Sequence, residues 1–230
     1  MTTVAVIPIK QLNDAKQRLA DLLPADQRQA LFTCMVQDVL TAVEASPAID
    51  QILIVTSDAA VADLARGYSA EILPEPSSPG LIEAVTEAGR ILAARQVETL
   101  LFLPGDVPLV APEELAVVLE GFGRQAEPEF LIVPAADLGG SNCLACSPPD
   151  CMEFGFGLDS FRRHLGIARR LGLRPQVAKL PYIGLDIDTP ADLADLVAMA
   201  QQDGRDCHTL RYLTSIGIID RLGAEVAGAG

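Results

Sequence analysis

Val4-Ala5-Val6-Ile7 is an unbroken apolar run with β-branched residues at three of its four positions. A half-buried strand would alternate, so this pattern predicts a strand over 4–9 that is covered on both faces. Similar runs predict strands over 51–56, 71–73, 100–103, 130–134 and 143–146. Between them the spacing changes. After Pro24, the residues Leu31, Met35, Val39 and Val43 recur every four positions, which puts them on one face of a helix that Pro47 lies beyond. Asp58 can cap a short helix that Gly67 closes, and the rigid loop Pro74-Glu75-Pro76-Ser77-Ser78-Pro79-Gly80 leads into a helix over 81–94. Further helices are predicted over 112–122, over 160–171 ahead of Gly172, and from Pro190 to about Gln202 behind the cap residue Thr189. Segments 177–180 and 183–187 read as extended. Strands alternating with helices specify an α/β fold, a Rossmann-like three-layer sandwich around a mostly parallel mixed sheet. Residues 1–203 form the domain, and 204–230 a helical appendage of it with a loose Gly/Ala end; neither an internal repeat nor a linker interrupts them.

Composition narrows the function. Half of the 230 residues are hydrophobic and 21% are charged, enough apolar material for a sizeable core. The net charge of −14 repels nucleic acid and anionic lipid, so a nucleotide would have to be held by local cations or bridging metal ions. The Met1-Thr2-Thr3 start lacks a basic leader, and no apolar run reaches the roughly 18 residues of a membrane span. A cytoplasmic enzyme acting on small molecules is the expectation. Five cysteines, an odd number, fit a reducing compartment. Cys143 and Cys146 have the spacing of a zinc knuckle with Cys151 nearby, but no second knuckle exists, so they are expected to fill space in and after a strand.

Candidate chemistry sits at the ends of predicted strands, where parallel sheets gather their ligands. The segment after the first strand carries Lys10, Lys16 and Arg18 and contains no glycine, so side-chain cations rather than backbone amides would face an anion. Pro104-Gly105-Asp106 projects a carboxylate at a strand tip, and Asp186-Ile187-Asp188-Thr189-Pro190 supplies two more before a helix. Such residues also serve as helix caps. Shared with substrate phosphates, they would suit Mg²⁺, which takes few carboxylates and keeps its other positions for water or phosphate oxygen.

Taken in order, Ile7-Pro8-Ile9-Lys10 with Ala15-Lys16-Gln17-Arg18-Leu19, Leu103-Pro104-Gly105-Asp106-Val107-Pro108-Leu109, Gly139-Gly140-Ser141-Asn142, the stretch from Phe156 to His164, and Asp186-Ile187-Asp188-Thr189-Pro190 resemble nucleotidyltransferases of the nucleotide-diphosphosugar transferase type. They resemble more closely the 2-phospho-L-lactate guanylyltransferase family, with its phosphoenolpyruvate and 3-phospho-D-glycerate counterparts, of deazaflavin coenzyme F-420 biosynthesis. The resemblance spans nearly the whole chain. It implies transfer of GMP from GTP to the phosphate of a phosphorylated three-carbon acid, with release of pyrophosphate. It assigns Lys10, Lys16 and Arg18 to the triphosphate, with Asp106, Lys10 and Lys16 as the catalytic set. Asp106, Asp186 and Asp188 would carry magnesium, and Ser141, Gly157 and Ser160 would hold the acceptor. His164, one turn beyond Ser160, could face that pocket, but a lone histidine beside Arg162 and Arg163 is first a surface or packing residue and second a ligand contact. GTP and the acid are the implied partners, without nucleic acid or membrane, and a homodimer is admitted. Two positions depart from the pattern: Ser141 stands where the family usually has threonine, and Ile82 where it tends to have asparagine.

Rival readings share the architecture. A molybdenum-cofactor or sugar-phosphate nucleotidyltransferase would be expected to carry a glycine-rich phosphate loop after the first strand. A non-catalytic nucleotide-binding subunit would be expected to have lost an acidic tip or a basic loop, yet both are present.

Overall fold

The computed structural model describes residues 2–12, 15–219 and 221–222. Strand β1 (Thr3–Pro8) is followed by helix α1 (Ala25–Glu44), β2 (Gln51–Val55), α2 (Ala59–Arg66), β3 (Glu71–Leu73), α3 (Leu81–Ala94) and β4 (Thr99–Phe102). Then come α4 (Pro112–Leu119), β5 (Glu129–Pro134), β6 (Ser141–Ser147), α5 (Ser160–Arg170), β7 (Gln176–Val177), α6 (Pro190–Gln202) and α7 (His208–Ser215). The seven strands lie in the order β3-β2-β1-β4-β6-β5-β7. Only β6 runs against its neighbours, antiparallel to both β4 and β5, so the sheet is mixed and mostly parallel, as expected.

The apolar run of β1 is buried on both sides because two cores flank it. Ala5 and Ile7 join α1, α2 and α4 on one face, whereas Val4 and Val6 join α3 and α5 on the other. Cys143 and Cys146, three residues apart on β6, point into these opposite cores, which excludes a shared metal for the two and leaves both as packing residues. A third cluster joins α1, α6 and α7 through Met35, Leu196 and Leu213. Asp38 of α1 accepts the first N–H groups of α7 from His208 (2.7 Å) and Thr209 (2.9 Å), satisfying donors that a helix start leaves open. Among the described residues no helix is long and apolar enough to cross a membrane. The loose Gly/Ala end lies outside the described residues.

Two predicted elements differ. Helix α4 stops at Leu119, three residues short of 122, because Glu120 turns extended (ψ 111°) and Gly121 takes a φ of 72°. The segment predicted as extended over 183–187 begins instead in a turn, where Gly184 N–H donates to the Leu180 carbonyl (2.8 Å). The Glu114 carboxylate accepts from the N–H groups of Tyr182 (3.0 Å) and Ile183 (2.8 Å), so a side chain from α4 takes the place of a neighbouring strand.

Candidate active site

The loop after β4 and the loop before α6 are tied together by one backbone bond: Ile187 N–H donates to the carbonyl of Asp106 (3.0 Å). Ile187 is fully buried, so the two aspartates that flank it in sequence, Asp186 and Asp188, are delivered beside Asp106. Lys16 closes the group. Its Nζ lies 2.6 Å from Asp106 and 3.0 Å from Asp188, and its side chain is only 4% exposed. The residue adopts a left-handed backbone (φ 56°, ψ 44°) just before a single 3-10 turn, Gln17–Leu19. That conformation costs a non-glycine residue roughly 1–2 kcal/mol, and two ion pairs offset it. The Phe32 ring of α1 lies 5.6 Å from the ammonium. Burial works to lower the Lys16 pKa, but attraction to Asp106 and Asp188 outweighs it and the net direction is upward.

Arg18, largely exposed, reaches Asp188 at 3.3 Å. Lys10 lies exposed beyond the end of β1 and joins none of the ion pairs among the described residues. The structure thus gathers Lys16, Arg18, Asp106, Asp186 and Asp188, and leaves Lys10 facing solvent.

Burial pushes the Asp186 carboxyl above its usual range; the Asn142 amide pulls the other way, while the charges of Asp106 and Asp188 push with burial. Carboxylate oxygens are the donor type a hard divalent cation takes, although Lys16 and Arg18 engage those of Asp106 and Asp188 here. Among the described residues no three or more His, Cys, Asp or Glu side chains are gathered closely enough to hold an ion by themselves. Substrate phosphates and water would have to complete the coordination. Arg18, Gly140, Asp186 and Asp188 line one cleft of about 400 Å³.

The hydroxyl group of the site is built next door, on β6 and α5. Val133 pairs with Cys143 but Pro134 pairs with Ser141, which makes Asn142 the extra residue of a β-bulge. Bulges re-aim side chains beside functional sites. Asn142 Nδ2 donates both to Asp186 Oδ1 (3.0 Å) and to the Ile183 carbonyl (3.0 Å), while Ser141 accepts from the Ser160 hydroxyl (3.1 Å). Ser160 opens α5, and its N–H donates to the Gly157 carbonyl (3.1 Å). Gly157 has a φ of 104°, a conformation that favours glycine. Arg163 fixes this entry loop by donating to the carbonyls of Phe156 (3.1 Å) and Leu158 (3.0 Å). Asn142, Glu114 and Arg163 were not singled out from the sequence; the polar Ser141-Asn142 pair at a strand start was the available signal for the first.

His164 is placed otherwise than a ligand contact requires. It is fully buried behind the serines, with Nδ1 2.9 Å from Ser141 Oγ. Burial pushes its pKa down to about 4, the positive charge of Arg163 adds to this, and a backbone interaction with Ser160 opposes it. The unfolded chain takes up a proton on this ring near 6.5 and the native chain only near 4, so stability falls as pH drops through that window. We expect wild-type protein to lose about 3 kcal/mol more than His164→Phe between pH 7.5 and 4, read as the difference between urea denaturation curves. Parallel curves would place a freely titrating imidazole there.

Sheet order and site together define the class, a nucleotidyltransferase with the nucleotide-diphospho-sugar transferase fold. A protein from Desulfovibrio desulfuricans G20 provisionally described as a nucleotide-diphospho-sugar transferase superimposes with a TM-score of 0.76 at 18% identity, covering 96% of this chain and 98% of that one. CMP:2-keto-3-deoxy-manno-octonic acid synthetase, complexed with CTP, gives 0.61 at 13% identity, covering 88% of this chain and all of that one (100%). Within the class, residues 3–224 match the family described as guanylyl transferase CofC like. The phosphoenolpyruvate guanylyltransferase of Conexibacter woesei is 37% identical over 94% of this chain and 97% of its own. The 3-phospho-D-glycerate guanylyltransferase of Colwellia psychrerythraea is 35% identical over 86% and 92%. The chain belongs to this guanylyl transferase family, and the resemblance drawn from its sequence is borne out.

Proposed function

We propose that the protein transfers GMP from GTP to the phosphate of a phosphorylated three-carbon acid: phosphoenolpyruvate, 3-phospho-D-glycerate or 2-phospho-L-lactate. One observation carries this reading. Asn142 donates to Asp186, and its chain neighbour Ser141 accepts from Ser160, so adjacent residues of β6 connect the carboxylate group to a pair of hydroxyls. The first suits a polyphosphate with its counter-ions and the second an anionic acceptor. An oxygen of the acceptor phosphate attacks the α-phosphorus of GTP, and the bond to the β-phosphate breaks as pyrophosphate leaves with the electron pair.

No protein nucleophile is needed, so the work is positioning and charge neutralisation. Lys16 and Arg18 hold triphosphate oxygens, and Lys10, free of the ion pairs, extends the cationic side toward solvent. Asp106, Asp186 and Asp188 would hold magnesium, which supplies positive charge between the two phosphates. Ser141, Ser160 and the Gly157 backbone orient the acceptor. Five free cysteines match a cytoplasmic setting, and the net charge of −14 favours small substrates gripped by local cations over nucleic acid or membrane. Residues 204–230 belong to the same domain as 1–203 on this reading, supported by the capping of α7 by Asp38. The product would be a guanylylated acid of the kind used to build the deazaflavin coenzyme F-420.

Purified protein with Mg²⁺, GTP and each acid in turn should release pyrophosphate with at least one of them, and mass spectrometry should identify the diphosphate product. In the same assay Ser160→Ala, which removes the donor to Ser141 Oγ, should raise KM for the acid by about fivefold, the worth of one neutral hydrogen bond, with KM for GTP unchanged. A shift confined to GTP would invert the assignment of the two subsites.

A further inference from the structure

The imidazole of His164 has a partner on each nitrogen. Gly155 N–H donates to Nε2 (2.9 Å), and a backbone amide can only donate, so Nε2 must present its lone pair. The single proton of a neutral ring then sits on Nδ1, where it is donated to Ser141 Oγ at 2.9 Å. The ring is held in this orientation by Phe156 and Phe154, which it meets edge-on at 5.0 and 6.4 Å between centroids. A proton added to Nε2 would face the Gly155 amide hydrogen, and the pKa near 4 agrees with a ring kept neutral.

The consequence lies one bond further on. Ser141 Oγ accepts from His164 and from Ser160, which uses both of its lone pairs and leaves its own proton as the group it can offer. The opposite tautomer would take that proton for Nδ1 and turn an oxygen lone pair toward the ligand. For an anionic ligand the two arrangements differ in sign. We propose that His164 is a positioning residue whose Nδ1–H tautomer commits the Ser141 hydroxyl to donating its proton to an anionic oxygen of the phosphorylated acid. The inference deepens the acceptor assignment made above and rests on it.

Two measurements test it. Nitrogen-15 NMR of the His164 ring in the wild-type protein should show a protonated Nδ1 and an unprotonated Nε2 at neutral pH. In kinetics with GTP and the accepted acid, His164→Phe keeps an edge-on ring and deletes the donor, and should raise KM for the acid about tenfold with KM for GTP unmoved. His164→Asn places an amide N–H near the position of Nδ1 and should recover most of that loss. A protonated Nε2 in the wild-type spectrum overturns the proposal whether or not either variant folds. So does an equal fall in kcat for both variants at constant KM. Absence of wild-type turnover with all three acids would instead remove the guanylyltransferase reading and this role with it.

Discussion

Asp106→Asn is expected to lower kcat by about two to three orders of magnitude while leaving the fold in place, the scale seen when one preorganised charge-stabilising group is removed from an active site. The substitution keeps the volume and the planar shape of the side chain and removes only its charge. The main-chain carbonyl of Asp106, which receives the Ile187 N–H, is untouched, so the two loops stay joined. Lys16 retains Asp188 at 3.0 Å and an amide oxygen at position 106. The Asp106 side chain is 24% exposed, so the lost ion pair is partly screened and the stability cost should stay near 1 kcal/mol. Turnover has no such compensation on the proposed reading, in which two mutually repelling phosphates must be brought together and one of the three carboxylates assigned to the counter-charge is gone. Steady-state kcat at saturating GTP, acid and Mg²⁺, together with the thermal midpoint, separates the two effects. Wild-type turnover in a folded variant would remove Asp106 from the chemistry.

Much of this was legible beforehand because it rests on local signals. A β-branched run with no polar interruption can only be a doubly covered strand, and β1 is one. Asp106, Asp186 and Asp188 stood out because prolines and predicted helix starts placed them at predicted strand ends; no strand forms before Asp186, and the Ile187–Asp106 backbone bond between two loops brings them together. Other features depend on partners remote in sequence. Pro181 and Gly184 are local turn signals that the extended reading of 183–187 passed over, but the partner of the Ile183 N–H is Glu114, 69 residues away. The bulge at Asn142 follows from the register between β5 and β6, which neither strand encodes alone. His164 read as a ligand-contact candidate because it lies one turn beyond Ser160, and as a surface or packing residue because it stands beside Arg162 and Arg163; packing is the outcome, with Phe154 and Phe156 meeting its ring. Lys10 and Lys16 were indistinguishable as neighbouring cations, and only the left-handed backbone at position 16 sends one inward and leaves the other in solvent.

That difference makes Lys16→Met the sharper test of the site's electrostatics. A nearly buried ammonium persists because it is paired, and deleting one partner of a buried pair costs about 3–5 kcal/mol. Here Asp188 is 41% exposed and Asp106 is 24% exposed, so solvent screens part of the repulsion left behind and about 2 kcal/mol is the better expectation in metal-free buffer. Methionine fills most of the volume, which isolates the charge from a cavity effect. The variant leaves two carboxylates, Asp106 and Asp188, without their buried counter-ion, so a divalent cation should bind its native state more tightly than that of the wild type and raise its thermal midpoint by more. Turnover should nevertheless remain depressed by about a hundredfold at saturating metal, because a cation held by the carboxylates does not replace the ammonium that the proposed reading assigns to the triphosphate. Equal midpoints without metal and equal shifts with it would show that Lys16 does not balance these carboxylates. Full recovery of turnover on adding metal would reduce Lys16 to a counter-ion, leaving Arg18 and Lys10 to hold the nucleotide.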